Sequence, residues 1–470
     1  MRILLPTGSL TRDIVLRAAR GFDADVVVTG EVASFLTPQE LESLVESGNY
    51  DMVIVSGMAT ASFDTVEKAT GVPVYRGPRH AADLGRILSG IGHIQLSRTI
   101  PADDFISALK KEEALRNIAE REQAAGFSYC IRGVKIGGDS RMKVLAEIMD
   151  AHRVPDIKSA VDGAFSSGAD IVDLGFGFDA AEADVIRCFE EVAGIDGPLA
   201  IDTQDPDLIA AGLFRADMIL SLHDGNIPLV GSEVADSGAV AVVVPCGSNL
   251  TENIRLAEDV GISCIIADPL LKPAGSGFVR SLGQFPDGPY PVFFGAGNVV
   301  ELMDADSIGM NCLLAAAAKE LNCSVVFTSE HSDKSKGSIR EMRLATEMMV
   351  LADDRPYPKD LGIDLLTIKE KRRRQEPPLH YSYVTEAGPS GKDLVYDPCG
   401  NFRIGIEGDS IVAVLDDRAI KGKSWMDVFS AILKAGDVSL LDHAAYLGKE
   451  LYKAELAIRF GKSFEQDGEF

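Results

Sequence analysis

The sequence predicts an α/β chain built around a (β/α)8 barrel, with an N-terminal α/β layer domain before it and a small C-terminal α+β domain after it. Two observations carry the barrel. Eight short apolar runs, at residues 134–140, 171–177, 198–204, 216–223, 239–246, 263–269, 290–298 and 323–330, are separated by stretches long enough for one helix each. The runs are near-continuous in Val, Ile and Leu rather than alternating. Both faces of each strand must then be buried, which requires parallel neighbours joined by helical crossovers. In such a barrel the site lies where the strands end, so the polar residues closing each run become the site candidates.

The elements follow in chain order. Residues 1–125 alternate strand and helix on a short cycle, with strands at 2–5, 25–29, 52–55 and 72–75. This pattern is that of a small layered α/β domain. Its strands close on Thr7-Gly8, Thr29-Gly30, Ser56-Gly57 and Arg76-Gly77, which make tight turns or line a crevice at the sheet edge. The barrel spans 126–352. Residues 353–379 read as a linker, holding Arg355-Pro356-Tyr357-Pro358, the basic run Lys369-Glu370-Lys371-Arg372-Arg373-Arg374, and Pro377-Pro378. The last unit, 380–470, is β-rich at 401–408 and 411–415 and then helical. Ser439-Leu440-Leu441-Asp442 has the form of a capping box, and Leu447, Leu451, Ala454 and Ile458 recur at helical spacing, so one face of the final helix packs.

Bulk composition excludes several function classes. A chain of 470 residues has ample material for two to four domains. A net charge of −25 argues against a phosphate backbone as partner, which needs clustered Lys and Arg. No apolar run reaches a membrane span, and residues 1–5 lead straight into a strand, so a cytoplasmic protein is expected. The seven cysteines form no CxxC pair and are expected to be buried reduced thiols, with Cys399 the exposed one. No His/Cys cluster has ligand spacing, and no metal is expected.

Read in order, the strand ends offer Asp139, Asp173, Asp202, His223 with Asp224 and Asn226, Asp268, Asn298, and Glu330 with His331. Carboxylates on one rim fit a hard-metal site, acid/base chemistry, or recognition of a heterocycle whose N–H donors lie side by side. Asp139 and Asp202 serve equally well as helix caps. Asp173 and Asp268 sit inside apolar strands, where burying a charge needs a functional reason.

These strand ends resemble the pterin-binding barrel family, which includes dihydropteroate synthase and the pterin-binding methyltransferases of corrinoid systems. Gly168-Ala169-Asp170-Ile171-Val172-Asp173-Leu174-Gly175 is similar to the family's second-strand motif, Ile201-Asp202-Thr203 to its third, and Asp268-Pro269 to its sixth. The resemblance implies that Asp173, Asp202 and Asp268 hold the aminopyrimidine edge of a reduced pterin, of tetrahydromethanopterin or tetrahydrofolate type. At the fourth strand either His223 or Asn226 takes the role of the family's Asn.

The whole chain most resembles the archaeal dihydropteroate synthase-related proteins. Yet the Lys, Arg-x-His and first-strand loop by which true synthases handle pyrophosphate are missing. Only Lys334, Lys336 and Arg340 remain for an anionic leaving group. Gly295-Ala296-Gly297-Asn298, followed by Asn311, is similar to the corrinoid-linked methyltransferases, whose strand-end Asn contacts the pterin N5 region. The tail from Asp397-Pro398-Cys399-Gly400 to Gln466-Asp467 resembles a segment of the corrinoid-carrying subunit of tetrahydromethanopterin S-methyltransferase. These likenesses imply a pterin-dependent transferase of one-carbon metabolism. Methyl transfer at N5 through Asn298 is favoured over condensation of a pterin pyrophosphate with an arylamine, and a non-catalytic carrier or scaffold is the third reading. A corrinoid protein is the implied partner, and a homodimer fits.

Overall fold

The computed structural model describes residues 1–353, 357–359, 361–370, 381–388 and 395–469. Its contacts divide the chain into two compact units, Met1–Pro378 and Leu379–Phe470. The stretch read as a linker falls partly outside the described residues.

The first unit opens with β1 (Ile3–Gly8), β2 (Ala24–Gly30), β3 (Met52–Val55) and β4 (Val74–Arg76). They form a parallel sheet in the order β2-β1-β3-β4. A long helix, Ala102–Ala124, then leads to β5 (Tyr129–Ile131) and β6 (Val134–Ile136). These two pair antiparallel around Arg132 and Gly133, both at positive φ, as a two-residue hairpin of the primed type demands.

The barrel strands follow: β7 (Lys143–Ile148), β8 (Ile171–Gly175), β9 (Leu199–Asp202), β10 (Met218–Leu222), β11 (Val240–Val243), β12 (Ile265–Ala267), β13 (Phe293–Phe294) and β14 (Val325–Ser329). All are parallel, in the order β12-β11-β10-β9-β8-β7-β14-β13. A parallel bridge from Ala267 to Val292, with Ala267 N–H donating to the Pro291 carbonyl at 2.9 Å, joins the two ends and closes the barrel.

The first barrel strand is therefore Lys143–Ile148 and not the run 134–140. That run supplies β6, whose Ile136 packs with Ile131 against the inward residues Leu145, Ile171, Met218, Val242 and Val325. Tyr129 accepts from Ile265 N–H at 3.2 Å, at the start of β12, and Arg132 reaches Asp217, just before β10. The hairpin thus closes the amino-terminal mouth of the barrel. It reads as a barrel strand because it is apolar and Gly-terminated, whereas β7 carries a Lys and a Glu. Lys143 is nearly fully buried and meets Glu122 at 3.0 Å.

Alternation along the strands fixes what faces inward. Leu145, Ile171 and Ala200 belong to the interior cluster, while Ala146, Val172 and Ile201 pack against the outer helices. Two residues on, the same face carries Glu147, Asp173 and Asp202. Register places Glu147 beside Asp173.

The second unit is an antiparallel meander of β15 (Arg403–Glu407), β16 (Ser410–Leu415) and β17 (Arg418–Gly422), followed by helices Trp425–Ala435 and Leu441–Phe460. Leu447, Leu451 and Ala454 are buried, and Ile458 packs beside them. Ser439 does not cap the last helix. Asp397 does so from a distant turn, accepting from Ser439 N–H at 2.9 Å, Leu440 N–H at 3.0 Å and Ser439 Oγ at 2.6 Å, with His443 Nδ1 at 3.0 Å. Burial would raise this carboxyl, but those donors outweigh it and hold it far below the usual range. All seven cysteines are free, and Cys130 and Cys246 are exposed as well as Cys399.

Candidate functional site

At the carboxyl ends of β7 to β9 the inward carboxyls converge. Glu147, Asp173 and Asp202 each bring an oxygen within 4.8 Å of the others. Asp173 is fully buried and neither of its oxygens has a hydrogen-bond partner. Asp202 accepts from Ser221 Oγ at 2.9 Å. Asp268, directly after β12, is buried and accepts from Leu270 N–H at 2.8 Å. Among the described residues no Lys or Arg forms an ion pair with any of the four.

The electrostatics follow from that isolation. Burial, reinforced by Asp202 and Glu147, pushes the Asp173 carboxyl well above its ordinary range. Burial raises Asp202, against the Ser221 hydrogen bond. Glu147 is raised to about 7 by burial first, then by Asp202, Glu301 and Asp150. Asp268 is likewise raised to about 7 by burial, the Leu270 N–H opposing and Asp202 adding. A group of crowded acids with no Lys or Arg paired to them among the described residues is matched either to a cation or to a ligand that brings N–H groups. Glu147 and Asp202 open onto a cavity of about 560 Å³ that also touches Gly175, Phe176 and Phe178. Phe178 is fully exposed at its mouth.

The other sequence-derived candidates divide. Asp139 is on the opposite side of the barrel strand: it precedes β7 and accepts from Gly126 N–H at 2.6 Å, so it stands apart from the rim. Asn226 is buried and its amide is spent on the turn after β10, accepting from His223 N–H at 2.8 Å and donating to the Ser221 carbonyl at 3.2 Å. His223 accepts through Nδ1 from Gly225 N–H at 3.0 Å, while its Nε2 is buried without a partner. Asn298 is exposed on the short helix Gly297–Val300 that follows β13. Lys334 pairs with Asp304 at 2.8 Å and Lys336 with Asp333 at 2.6 Å, and Arg340 lies exposed on the helix after β14. Glu147 was missed because its strand was misplaced, and Phe178 because an aromatic among glycines gives no periodic signal.

The fold and these strand ends define a (β/α)8-barrel protein with a carboxyl-lined rim. The sequence profile described as PterinBD-DUF4346 matches residues 396–467. The chain is 34% identical to the uncharacterized protein MJ0107 of Methanocaldococcus jannaschii over 518 aligned positions, covering 99% of this chain and 98% of that one. It belongs to the same family as MJ0107. Among solved structures it is similar to dihydropteroate synthase from Thermus thermophilus, at 17% identity and a TM-score of 0.37, covering 44% of this chain and 93% of that one. Dihydropteroate synthase from Xanthomonas albilineans gives 20% identity and a TM-score of 0.38, covering 46% and 94%.

Proposed function

We propose that the chain is a reduced-pterin-binding transferase, with a pterin of the tetrahydromethanopterin or tetrahydrofolate type as substrate or cosubstrate. The observation that carries this reading is a set of acceptors on separate strands, Asp173 and Asp268 buried and Asp202 half-buried, with which no Lys or Arg among the described residues pairs. A pterin's aminopyrimidine edge presents N–H donors side by side and would satisfy them. Phe178 at the cavity mouth supports a flat ligand, since an exposed aromatic face stacks on one. Glu147 joins the set as a fourth acid.

Methyl transfer at N5 is the favoured reaction, with Asn298 orienting an amide hydrogen bond as the protonation of N5 changes. A corrinoid protein is the acceptor class this reading implies. Condensation of a pterin pyrophosphate with an arylamine is the alternative. It asks for fixed cations facing the leaving group, and Lys334 and Lys336 are already in exposed ion pairs. A carrier without turnover is the third reading.

A paired assay separates them: methyl-pterin plus a corrinoid acceptor in one tube, pterin pyrophosphate plus arylamine in the other. Methyl transfer that falls about 10²-fold in Asn298→Ala and is unchanged in Lys334→Ala and Lys336→Ala is the expected result. Pyrophosphate release that collapses in the lysine variants and survives in Asn298→Ala would restore the synthase. Binding with no turnover in either tube would leave the carrier.

A further inference from the structure

One strand further round the rim lies a second cluster of different chemistry. β10 ends at Leu222, and its register against β11 shifts between Ile219 and Leu222, where Ser221 takes a left-handed φ of 64°. The kink aims two consecutive residues, His223 and Asp224, across toward the loop that follows β11, which carries Cys246. One atom each from His223, Asp224 and Cys246 lies within 4.8 Å of the other two. His223 Nδ1 is 3.9 Å from Asp224 Oδ1. Asn226 clamps the turn on both sides through its amide, so the imidazole and carboxyl are held by rigid backbone.

We propose that His223, Asp224 and Cys246 form a three-ligand site for a borderline-soft divalent cation of the zinc class. Three features point there. Asp224 Oδ1, on the side of His223 Nδ1, is a buried acceptor with no hydrogen-bond partner, an arrangement a folded chain keeps only for a reason. The Gly225 N–H donates to Nδ1, so Nδ1 is the unprotonated nitrogen on the side of Asp224, and a cation taking its lone pair displaces a single hydrogen bond. Cys246 is exposed, so a cation can reach its sulfur from solvent.

Ligands at ~2.0–2.3 Å from a tetrahedral ion sit roughly 3.3–3.8 Å apart, so the side chains need close by only a few tenths of an ångström to about one ångström. Such a set leaves a fourth position open, the composition of a reactive rather than a structural site. The Glu147, Asp173 and Asp202 group has oxygen ligands alone, so a thiophilic ion discriminates between the two clusters. Sequence spacing hides this site because its two halves come from consecutive strands.

The test uses the full chain, reduced and stripped with chelator, titrated with Co²⁺ alone and then with Zn²⁺ alone. One Co²⁺ per chain should bind with a thiolate-to-cobalt charge-transfer absorption, and Zn²⁺ should abolish that absorption stoichiometrically. Cys246→Ser should remove the absorption and weaken Zn²⁺ binding by more than the roughly 10–100-fold that loss of an outer-shell partner costs. Cys399→Ser and Cys130→Ser, at exposed thiols elsewhere, should keep both. Asp173→Asn should also keep both, which separates this site from the pterin reading. No charge-transfer absorption at saturating Co²⁺, or an absorption that persists in Cys246→Ser, overturns the proposal.

Discussion

Asp173 is a carboxyl with no solvent exposure and no hydrogen bond to either oxygen. Burial without a partner, reinforced by Asp202 and Glu147, opposes its ionisation and pushes its carboxyl well above the ordinary range. Glu147, raised to about 7 from 4.5, shares this environment. The consequence for stability has a definite sign. Between about pH 4.5 and 7 the folded chain holds a proton on Glu147 that the unfolded chain has released, so stability falls as pH rises through that window. Asp268, also raised to about 7, acts in the same direction. Thermal unfolding followed from pH 5 to pH 8 should show this decline in the wild type and a flatter profile in Glu147→Gln and Asp268→Asn. A profile that rises with pH, or is identical in all three, contradicts the assignment. Asp173, Asp202 and Asp268 were legible from sequence because each interrupts or closes an apolar run. Glu147 was not, because Lys143 at the start of the same strand makes the run look like a polar segment.

The hairpin β5–β6 shows how an element can be recognised and yet misassigned. Its residues have strand character, and they do form a strand, but one that pairs only with its hairpin partner and plugs the amino-terminal mouth. Periodicity cannot separate a short barrel strand from such a plug, because both place alternate apolar residues in the same interior cluster. Ile136, fully buried in that cluster, should cost about 2–5 kcal/mol when cut to Ala, measured by chemical denaturation. Asp139→Ala, at the same end, should leave pterin affinity unchanged; a large loss of affinity would return Asp139 to the site. In the second unit, the last helix has the apolar spacing its sequence announces, but its cap comes from Asp397, 43 residues before Leu440. A short motif search sees only local caps. Asp397→Ala should destabilise this unit by at least the ~1 kcal/mol typical of a lost cap. Unchanged thermal unfolding in that variant would mean the cap is supplied elsewhere.

For the whole molecule, eight apolar runs sufficed to predict a (β/α)8 barrel, because seven of them are barrel strands and strands buried on both faces need parallel neighbours covered by helices. Within the barrel the same alternation that builds the interior also sets the acids on its rim. What sequence could not supply is convergence: which carboxyls meet, and that His223 and Asp224 meet Cys246. The central claim is that the acids of β7 to β9 with Asp268 hold a reduced pterin. It predicts that a chelator leaves pterin binding intact, since the acceptors are assigned to the ligand's own donors. It is tested most directly by calorimetric titration of a tetrahydropterin into the wild-type chain, Asp173→Asn and Asp268→Asn. Each variant should keep its fold and lose roughly 10–100-fold in affinity, the worth of one charge-assisted hydrogen bond at ~1.5–3 kcal/mol. Affinity unchanged in both variants would contradict the account.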